Sequence, residues 1–157
     1  MLQFASARND VVNSANAMRD CMEQVCASLP GTECDLLVFN TTMGHNFREL
    51  LDEARRVCPG TEIVGSSCGG VVGADGASER MRALAVMGIA GKGEFVVASA
   101  DAIRGANSRE VAAHVAKELK AKNGNINLIN IVASGIDIAA DQAIAGIESV
   151  FGLDVPI

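Results

Sequence analysis

The sequence predicts an α/β fold in which a mixed β-sheet carries flanking helices in a single layered domain. Short apolar runs typical of buried strands alternate with stretches whose apolar residues recur at helical spacing. Between residues 35 and 64 a strand, a helix and a second strand follow one another, which is the order of a β-α-β unit with parallel strands. The length of 157 residues fits one domain, 1–157, with a substantial core.

The first segments predict a strand and a long helix. Residues 2–7 form a short strand or arm, and Asp10 is positioned to cap the helix that follows. Cys21 lies off the apolar stripe of this helix and Cys26 beside its edge, so both are interpreted as structural thiols. The stripe recurs at steps of three and four through Val11, Ala15, Met18, Met22, Val25 and Leu29.

The β-α-β unit comes next. Residues 35–40 are a continuous apolar run, as expected of a strand covered on both faces. Asn46 is predicted to cap the following helix, with Glu49 completing a capping box. Residues 61–64 then form a second buried strand, which continues into a glycine-rich stretch at residues 65–76.

The middle of the chain predicts a hairpin. Residues 74–81 are interpreted as an exposed excursion. Strand 83–89 is expected to pair with a return strand, 94–99, across a turn at residues 91–93. This hairpin makes the sheet mixed instead of purely parallel.

The last third predicts two helices and one further strand. Asn107 is expected to cap the first helix, on whose surface His114 lies, and Asp137 to cap the second. Residues 126–132 form the strand between them. Residues 153–157 look like a strand that is just beginning, so we expect the chain to be truncated at this end.

Composition argues against several functions. The net charge is -6, there is no Lys/Arg cluster, and the aromatic residues are five Phe without Trp or Tyr. Nucleic acids and anionic membrane surfaces require cationic surface, so neither is an expected partner. There is no apolar run of membrane-spanning length and no signal peptide at the start, and the five cysteines have no Cys-x-x-Cys spacing. We therefore expect a cytoplasmic protein with reduced thiols, no bound metal and no cofactor.

Polar residues at the carboxyl ends of the strands are the candidate ligand-binding site. Ligands of open α/β sheets bind at this edge, where strands meet the loops that follow them. Hydroxyl groups and backbone N–H groups there can hold the carboxylate or hydroxyl of a small ligand. The residues form a cradle and two further walls: Ser66, Ser67, Cys68, Gly69 and Gly70; then Asn40, Thr41 and Thr42; then Ser134 and Asp137.

Simpler interpretations remain open at each of these positions. The glycine-rich stretch is also what a bend between two strands requires. It matches neither a dinucleotide-binding fingerprint nor a Walker A loop, so nucleotide binding has weak support. Helix capping alone accounts for Asp137. Cys68 with His45 as its base is the alternative of a Cys-dependent enzyme, although no complete catalytic set is present.

These segments together resemble the N-terminal section of the FIST domain family. The resemblance rests on residues 35–40, a helix, residues 61–70 with their Gly-Ser-Ser-Cys-Gly-Gly sequence, strand 126–132, and residues 154–157, and it covers nearly the whole chain. It implies an intracellular sensory module of signal transduction that binds small ligands, with amino acids the proposed class. It also implies a two-part module, of which this chain is the first part, and a downstream signalling protein or domain.

The function predicted from the sequence is therefore a small-ligand-binding sensory domain without enzymatic activity. The Cys68 enzyme is one alternative. A protein-interaction scaffold is the other, and it predicts an empty crevice together with a stable partner or dimer.

Overall fold

The structure is a computed structural model that describes residues 1–29, 31, 34–91, 94–133 and 135–157. The chain divides into two compact units, Met1–Phe95 and Val96–Ile157. The prediction of an α/β fold with a mixed sheet and flanking helices is confirmed. Within the described ranges, no helix combines the length and the apolar character needed to cross a membrane.

The first unit contains the sheet and the two helices that cover one of its faces. The strands are β1 (Gln3–Asn9), β2 (Leu36–Thr41), β3 (Glu62–Ser67), β4 (Val71–Gly73), β5 (Gly76–Ser78) and β6 (Leu84–Ala90). The helices are α1 (Ser14–Ser28) and α2 (Phe47–Val57). The main sheet has the order β1-β6-β2-β3, and β4 pairs with β5 in a separate ribbon.

The main sheet is mixed because of a single strand, β6. It runs antiparallel to β1 and to β2, while β2 and β3 are parallel. β1, β2 and β3 therefore share one direction, and their carboxyl ends lie at one edge of the sheet. The predicted hairpin is wrong: residues 94–99 form no strand. The physical reason is that β1 and β2 already occupy both edges of β6, so a local return strand has no edge to pair with. Lys92 and Gly93 of the predicted turn lie outside the described residues.

The core lies between this sheet and the two helices. Leu37 and Phe39 of β2 belong to the same buried cluster as Met18, Met22 and Val25 of α1. Because side chains alternate along a strand, Val38 and Asn40 lie on the opposite face. The predicted stripe omitted Cys21, which is fully buried in this core.

The helix caps differ in part from the predictions. Asn13, not Asp10, caps α1: its Oδ1 accepts from the Asn16 N–H at 2.9 Å. Asp10 instead forms ion pairs with Arg8 and Arg80. The predicted Asn46 cap of α2 is confirmed, since Asn46 Oδ1 accepts from the N–H groups of residues 48 and 49. The capping box is wrong, because the Asn46 backbone N–H donates to Ser14 Oγ and Glu49 accepts from the Asn46 side-chain amide instead.

The excursion predicted at residues 74–81 is exposed over most of its length but more ordered than expected. Val71–Gly73 and Gly76–Ser78 pair as a two-stranded ribbon around residues 74 and 75. Gly76 has φ 122°, a conformation that favours glycine at this turn. Arg8 donates to both carboxylate oxygens of Asp75, at 3.1 and 2.8 Å, and so ties the ribbon to β1.

The second unit contains a 3₁₀ helix at Gly105–Asn107, α3 (Ser108–Lys122) and α4 (Ala140–Phe151). Small residues let the helices approach closely, because a Cβ at Gly146 would collide with the carbonyl oxygen of Arg109. The predicted strand at 126–132 is wrong, as is the one beginning at 153. An apolar run becomes a strand only with a ladder partner. Among the described residues, the backbone bond seen between these two segments runs from the Ile129 N–H to the Pro156 carbonyl at 2.9 Å.

A buried carboxylate joins α1 to α2. Glu53 accepts from Arg56 at 2.7 and 3.0 Å and from Arg19 of α1 at 2.7 Å. The side chain is 9% exposed, since the two arginines cover it. Hydrogen bonds from Arg56 and then Arg19 lower the pKa of Glu53 from 4.5 to about 2.

We expect Glu53→Gln to reduce the free energy of unfolding at pH 7 by about 1–2 kcal/mol, because charge-assisted hydrogen bonds are lost. A lowered carboxylate pKa stabilises the fold above the unfolded value of 4.5, and this stabilisation is lost as the pH falls towards about 2. The variant should therefore show a weaker loss of stability across that window. Urea titrations at several pH values measure the free energy of unfolding of both proteins. Asp52→Asn, an exposed neighbour, is the control and should change little; equal behaviour of both variants would contradict the assignment.

Candidate functional site

The carboxyl ends of β2 and β3 are neighbours in the sheet. Asn40 lies opposite Ser66 and Thr41 opposite Ser67 in the parallel register. The structure thus brings together the cradle, Ser66–Gly70, and the first wall, Asn40–Thr42, that the sequence analysis selected. Ligand binding by these residues stays a prediction.

Asn40 and Ser66 form the polar pair at this edge. The Ser66 hydroxyl donates to Asn40 Oδ1 at 2.7 Å. Asn40 is exposed and Ser66 is half-buried. Because residues alternate along β3, Ser67 points to the other face, where it is exposed. The cradle hydroxyls therefore border the edge of the sheet from both faces.

Thr41 and Thr42 are buried, and their hydroxyls bond within the protein. Thr41 Oγ1 donates to the carbonyl of Ala83 at 3.1 Å. Thr42 Oγ1 donates to the Met81 carbonyl at 2.7 Å and accepts from the Ala83 N–H at 2.8 Å. These bonds hold the loop after β2 against the segment that enters β6. In this structure the two threonines position the edge, and Asn40 is the exposed member of its wall.

The glycines of the glycine-rich stretch differ in how much space surrounds them. A Cβ at Gly65 would lie 2.5–2.7 Å from three carbons of the Phe39 ring. At Gly70 it would lie 3.1 Å from Glu79 Cγ. At Gly69 it would meet nothing within 4 Å, and both Gly69 and Gly70 are exposed. The simpler interpretation, close backbone packing, therefore holds at Gly65, and open space surrounds Gly69.

Cys68 is held by the end of β2. Its backbone N–H donates to the Thr41 carbonyl at 2.9 Å, and its thiol donates to the same oxygen at 3.5 Å. His45 is 5% exposed, with Nδ1 3.2 Å from Ser14 Oγ. His45 Nε2 is buried without a hydrogen-bond partner among the described residues. Neither ring nitrogen therefore contacts the Cys68 thiol, and Cys–His catalysis stays an untested alternative.

The environment of His45 keeps its imidazole neutral. Burial, and secondarily the charge of Arg82, lower its pKa below 6.5. Ser14 also accepts from the Asn46 N–H at 3.0 Å, so one hydroxyl joins the start of α1 to the start of α2. Sequence reasoning missed Ser14, because nothing in the local pattern indicates a contact with residues more than thirty positions away.

The second predicted wall, Ser134 and Asp137, was drawn from the sequence of the second unit. Asp137 pairs with Arg104 at 3.4 Å and has φ 59°. The prediction that Asp137 caps the last helix is wrong, because the residue before α4 is Ala139. Asp137 lies two residues before this cap, and its positive φ is a left-handed conformation that aspartate tolerates in turns. Ser134 lies outside the described residues.

Exposed apolar side chains accompany the polar edge, and the sequence analysis missed this arrangement. Met43, in the loop after β2, is 87% exposed, and Met81, before β6, is 78% exposed. The Gly44 N–H donates to the Met81 carbonyl at 2.8 Å, which brings these two segments together. Val12 and Phe47 are also exposed, after β1 and at the start of α2. The available signal was their position at strand ends, where apolar residues have no neighbouring strand to cover them.

The described residues include no group of three or more His, Cys, Asp or Glu side chains arranged to hold a metal ion.

Residues 35–157 match the family model described as the FIST N domain. The matched range begins immediately before β2 and contains both the cradle and the first wall. A search of curated proteins found no match.

Proposed function

Because the chain belongs to the FIST N domain family, we propose that it is a sensory domain that binds a small ligand at the carboxyl edge of β2 and β3. The observation that carries the proposal is the hydrogen-bonded pair of Asn40 and Ser66, beside the exposed Ser67, Gly69 and Gly70. In open α/β sheets this edge is where ligands bind. The proposed output is a downstream signalling protein or domain, and the proposed location is cytoplasmic.

The chemistry of this edge suits an amino acid, which is the ligand class we propose. The exposed Ser67 hydroxyl and the backbone N–H groups of Gly69 and Gly70 are the donors we assign to a carboxylate, and the Asn40 side-chain NH₂ supplies a further donor. Arg82 lies just before β6, where its guanidinium donates to the Val12 carbonyl at 2.7 Å. Its positive charge would attract an anionic ligand to a protein whose net charge is -6. The exposed Met43 and Met81 provide flexible apolar contacts for a ligand side chain.

A thermal-shift screen of the chain against the proteinogenic amino acids and small organic acids tests this proposal. Binding to the native state raises the melting temperature by mass action, with about 2.7 kcal/mol of added stability when the ligand is at 100 times its Kd. We expect one chemical class to raise the melting temperature. Asn40→Ala and Ser67→Ala should each lower the affinity for that class of compound about tenfold, because each removes one hydrogen bond to the ligand.

Ser28→Ala provides the matched control. Ser28 is an exposed serine at the far end of α1, where its hydroxyl donates to the Gln24 carbonyl at 2.9 Å. It should leave the response to every compound unchanged. The proposal is wrong if no compound raises the melting temperature, or if both edge variants respond as fully as the control. A stable dimer without any response would favour the scaffold alternative.

A further inference from the structure

Three cysteine thiols from three separate elements meet in the first unit. Cys26 lies in the last turn of α1, Cys34 two residues before β2, and Cys58 is the residue that ends α2. Cys34 and Cys58 belong to the same buried core cluster, and Cys26 packs against that cluster. After burial, the Cys26 thiol is the next cause that raises the pKa of both Cys34 and Cys58. We call these residues the thiol cluster. All five cysteines of the chain are free, and Cys21 and Cys68 lie elsewhere in the fold.

Backbone hydrogen bonds hold the thiol cluster in place. The Thr61 N–H donates to the Cys58 carbonyl at 3.4 Å, and the Thr61 hydroxyl donates to the Cys34 carbonyl at 2.9 Å. The Cys58 N–H donates to the Ala54 carbonyl at 2.9 Å. The Cys34 sulfur packs against Gly88 of β6, where an added Cβ would lie only 2.9 Å from it. The Cys34 thiol is thus held towards the sheet, while Cys26 and Cys58 lie on the two packed helices.

The three thiols differ in their access to solvent. Cys34 is 5% exposed and Cys58 is 6% exposed, whereas Cys26 is only partly buried. Burial raises the pKa of Cys58 to about 12, and it also raises the pKa of Cys34. Both buried groups are therefore protonated at neutral pH and protected from reagents in solution. Cys26 is the position at which an oxidant reaches the cluster first.

We propose that the thiol cluster is an oxidation site at which a hydroperoxide converts Cys26 and Cys58 into a disulfide that links α1 to α2. In the first step the Cys26 sulfur attacks the O–O bond of ROOH, releases ROH and becomes a sulfenic acid. In the second step the Cys58 sulfur attacks the Cys26 sulfur and an S–S bond forms. The proton of the Cys58 thiol passes to the sulfenic oxygen, which leaves as water. The two thiols lose two electrons to the hydroperoxide, and their two protons leave in ROH and water.

This site is separate from the proposed ligand edge. Cys34 precedes the start of β2, whereas Asn40 and Thr41 lie at its other end, about 20 Å along the strand. Proximity supports the second step, because two groups held together react as if each were at a very high concentration. Cys58 is the expected partner, since it lies on a helix that packs beside α1 and the Cys34 sulfur is directed towards β6.

Treatment of the whole reduced chain with hydrogen peroxide tests the proposal. We expect the loss of two free thiols per chain, a mass decrease of two hydrogen atoms, and a cross-linked peptide that contains Cys26 and Cys58. Dithiothreitol should reverse all three changes. Cys26→Ala and Cys58→Ala should abolish the cross-link, whereas Cys21→Ala and Cys68→Ala should retain it.

A trapping experiment keeps the test decisive if a variant packs poorly. With dimedone present during oxidation, Cys58→Ala should accumulate sulfenic acid label at Cys26 to several times the wild-type level, because the resolving thiol is absent. Circular dichroism of each variant checks its folding. The proposal is overturned if the five thiols oxidise at equal rates, if the cross-link joins a different pair, or if Cys58→Ala gains no label at Cys26.

Discussion

Replacing Leu37 with alanine is expected to lower the free energy of unfolding by about 2–5 kcal/mol. Leu37 is the second residue of β2, between the paired strands β6 and β3, and it is fully buried in the same cluster as core residues of both helices. Its removal leaves a cavity that rigid neighbours on several elements fill only in part. Urea denaturation followed by circular dichroism measures the change, with an unchanged slope expected if the folded state is retained.

Leu36→Ala is the matched control for this prediction. Leu36 is the adjacent leucine, and by strand alternation it lies on the opposite face, where it is only partly buried. We expect it to cost clearly less than Leu37→Ala. Equal costs would contradict the assignment of the core to the α1–α2 face of the sheet.

Gly65→Ala is expected to reduce stability by about 1–3 kcal/mol, because it overpacks a well-filled contact. The new Cβ would lie 2.5 Å from Cζ of Phe39, and the ring is buried against Phe47 at a centroid distance of 6.5 Å. The Phe39 ring must therefore move. Because Gly65 immediately precedes Ser66, the variant should also lower the affinity for any ligand found in the thermal-shift screen.

Gly69→Ala tests whether this effect is specific to Gly65. It adds the same methyl group four residues later in the same stretch, where nothing lies within 4 Å. Its effect on stability should stay within about 0.5 kcal/mol. A second variant, Phe39→Leu combined with Gly65→Ala, should cost less than the sum of the two single changes, since the smaller side chain relieves the collision. Additive costs would argue against the collision.

The β-α-β unit was predictable because its signals are local. An apolar run at residues 35–40, an asparagine cap at residue 46 and a second apolar run each report on the few residues around them, and β2, α2 and β3 follow. The contact between Asn40 and Ser66 also followed from the sequence, since parallel neighbours bring equivalent strand ends together. The fold class was predicted correctly for this reason.

Long-range pairing could not be predicted in the same way. The sequence indicated that residues 83–89 form a strand, but not that the partners would be β1 and β2. Local proximity favoured residues 94–99, which form no strand. The pairing partner of β6 depends on which strands already occupy its two edges, and the periodicity of a sequence does not indicate this. The run at 126–132 failed for a related reason, since an apolar segment without a ladder partner is not a strand.

The candidate site was predicted in position more accurately than in the role of each residue. Thr41 and Thr42 were predicted to form a wall of the ligand site, yet both are buried and bonded to the carbonyls of Ala83 and Met81. That distinction depends on the segment before β6, which lies about forty residues away in sequence. Met81 was predicted to be exposed together with residues 74–81, but its place beside Met43 was missed. That place depends on a long-range contact between the loop after β2 and the segment before β6.

The most direct test of the central claim is an amide NMR map of the labelled chain, recorded before and after addition of a mixture of the proteinogenic amino acids. The account predicts that resonances of residues 40–42 and 66–70 shift together, and that those of residues 26, 34 and 58 stay in place. A map without shifts, or with shifts confined to surfaces away from the β2–β3 edge, would contradict it.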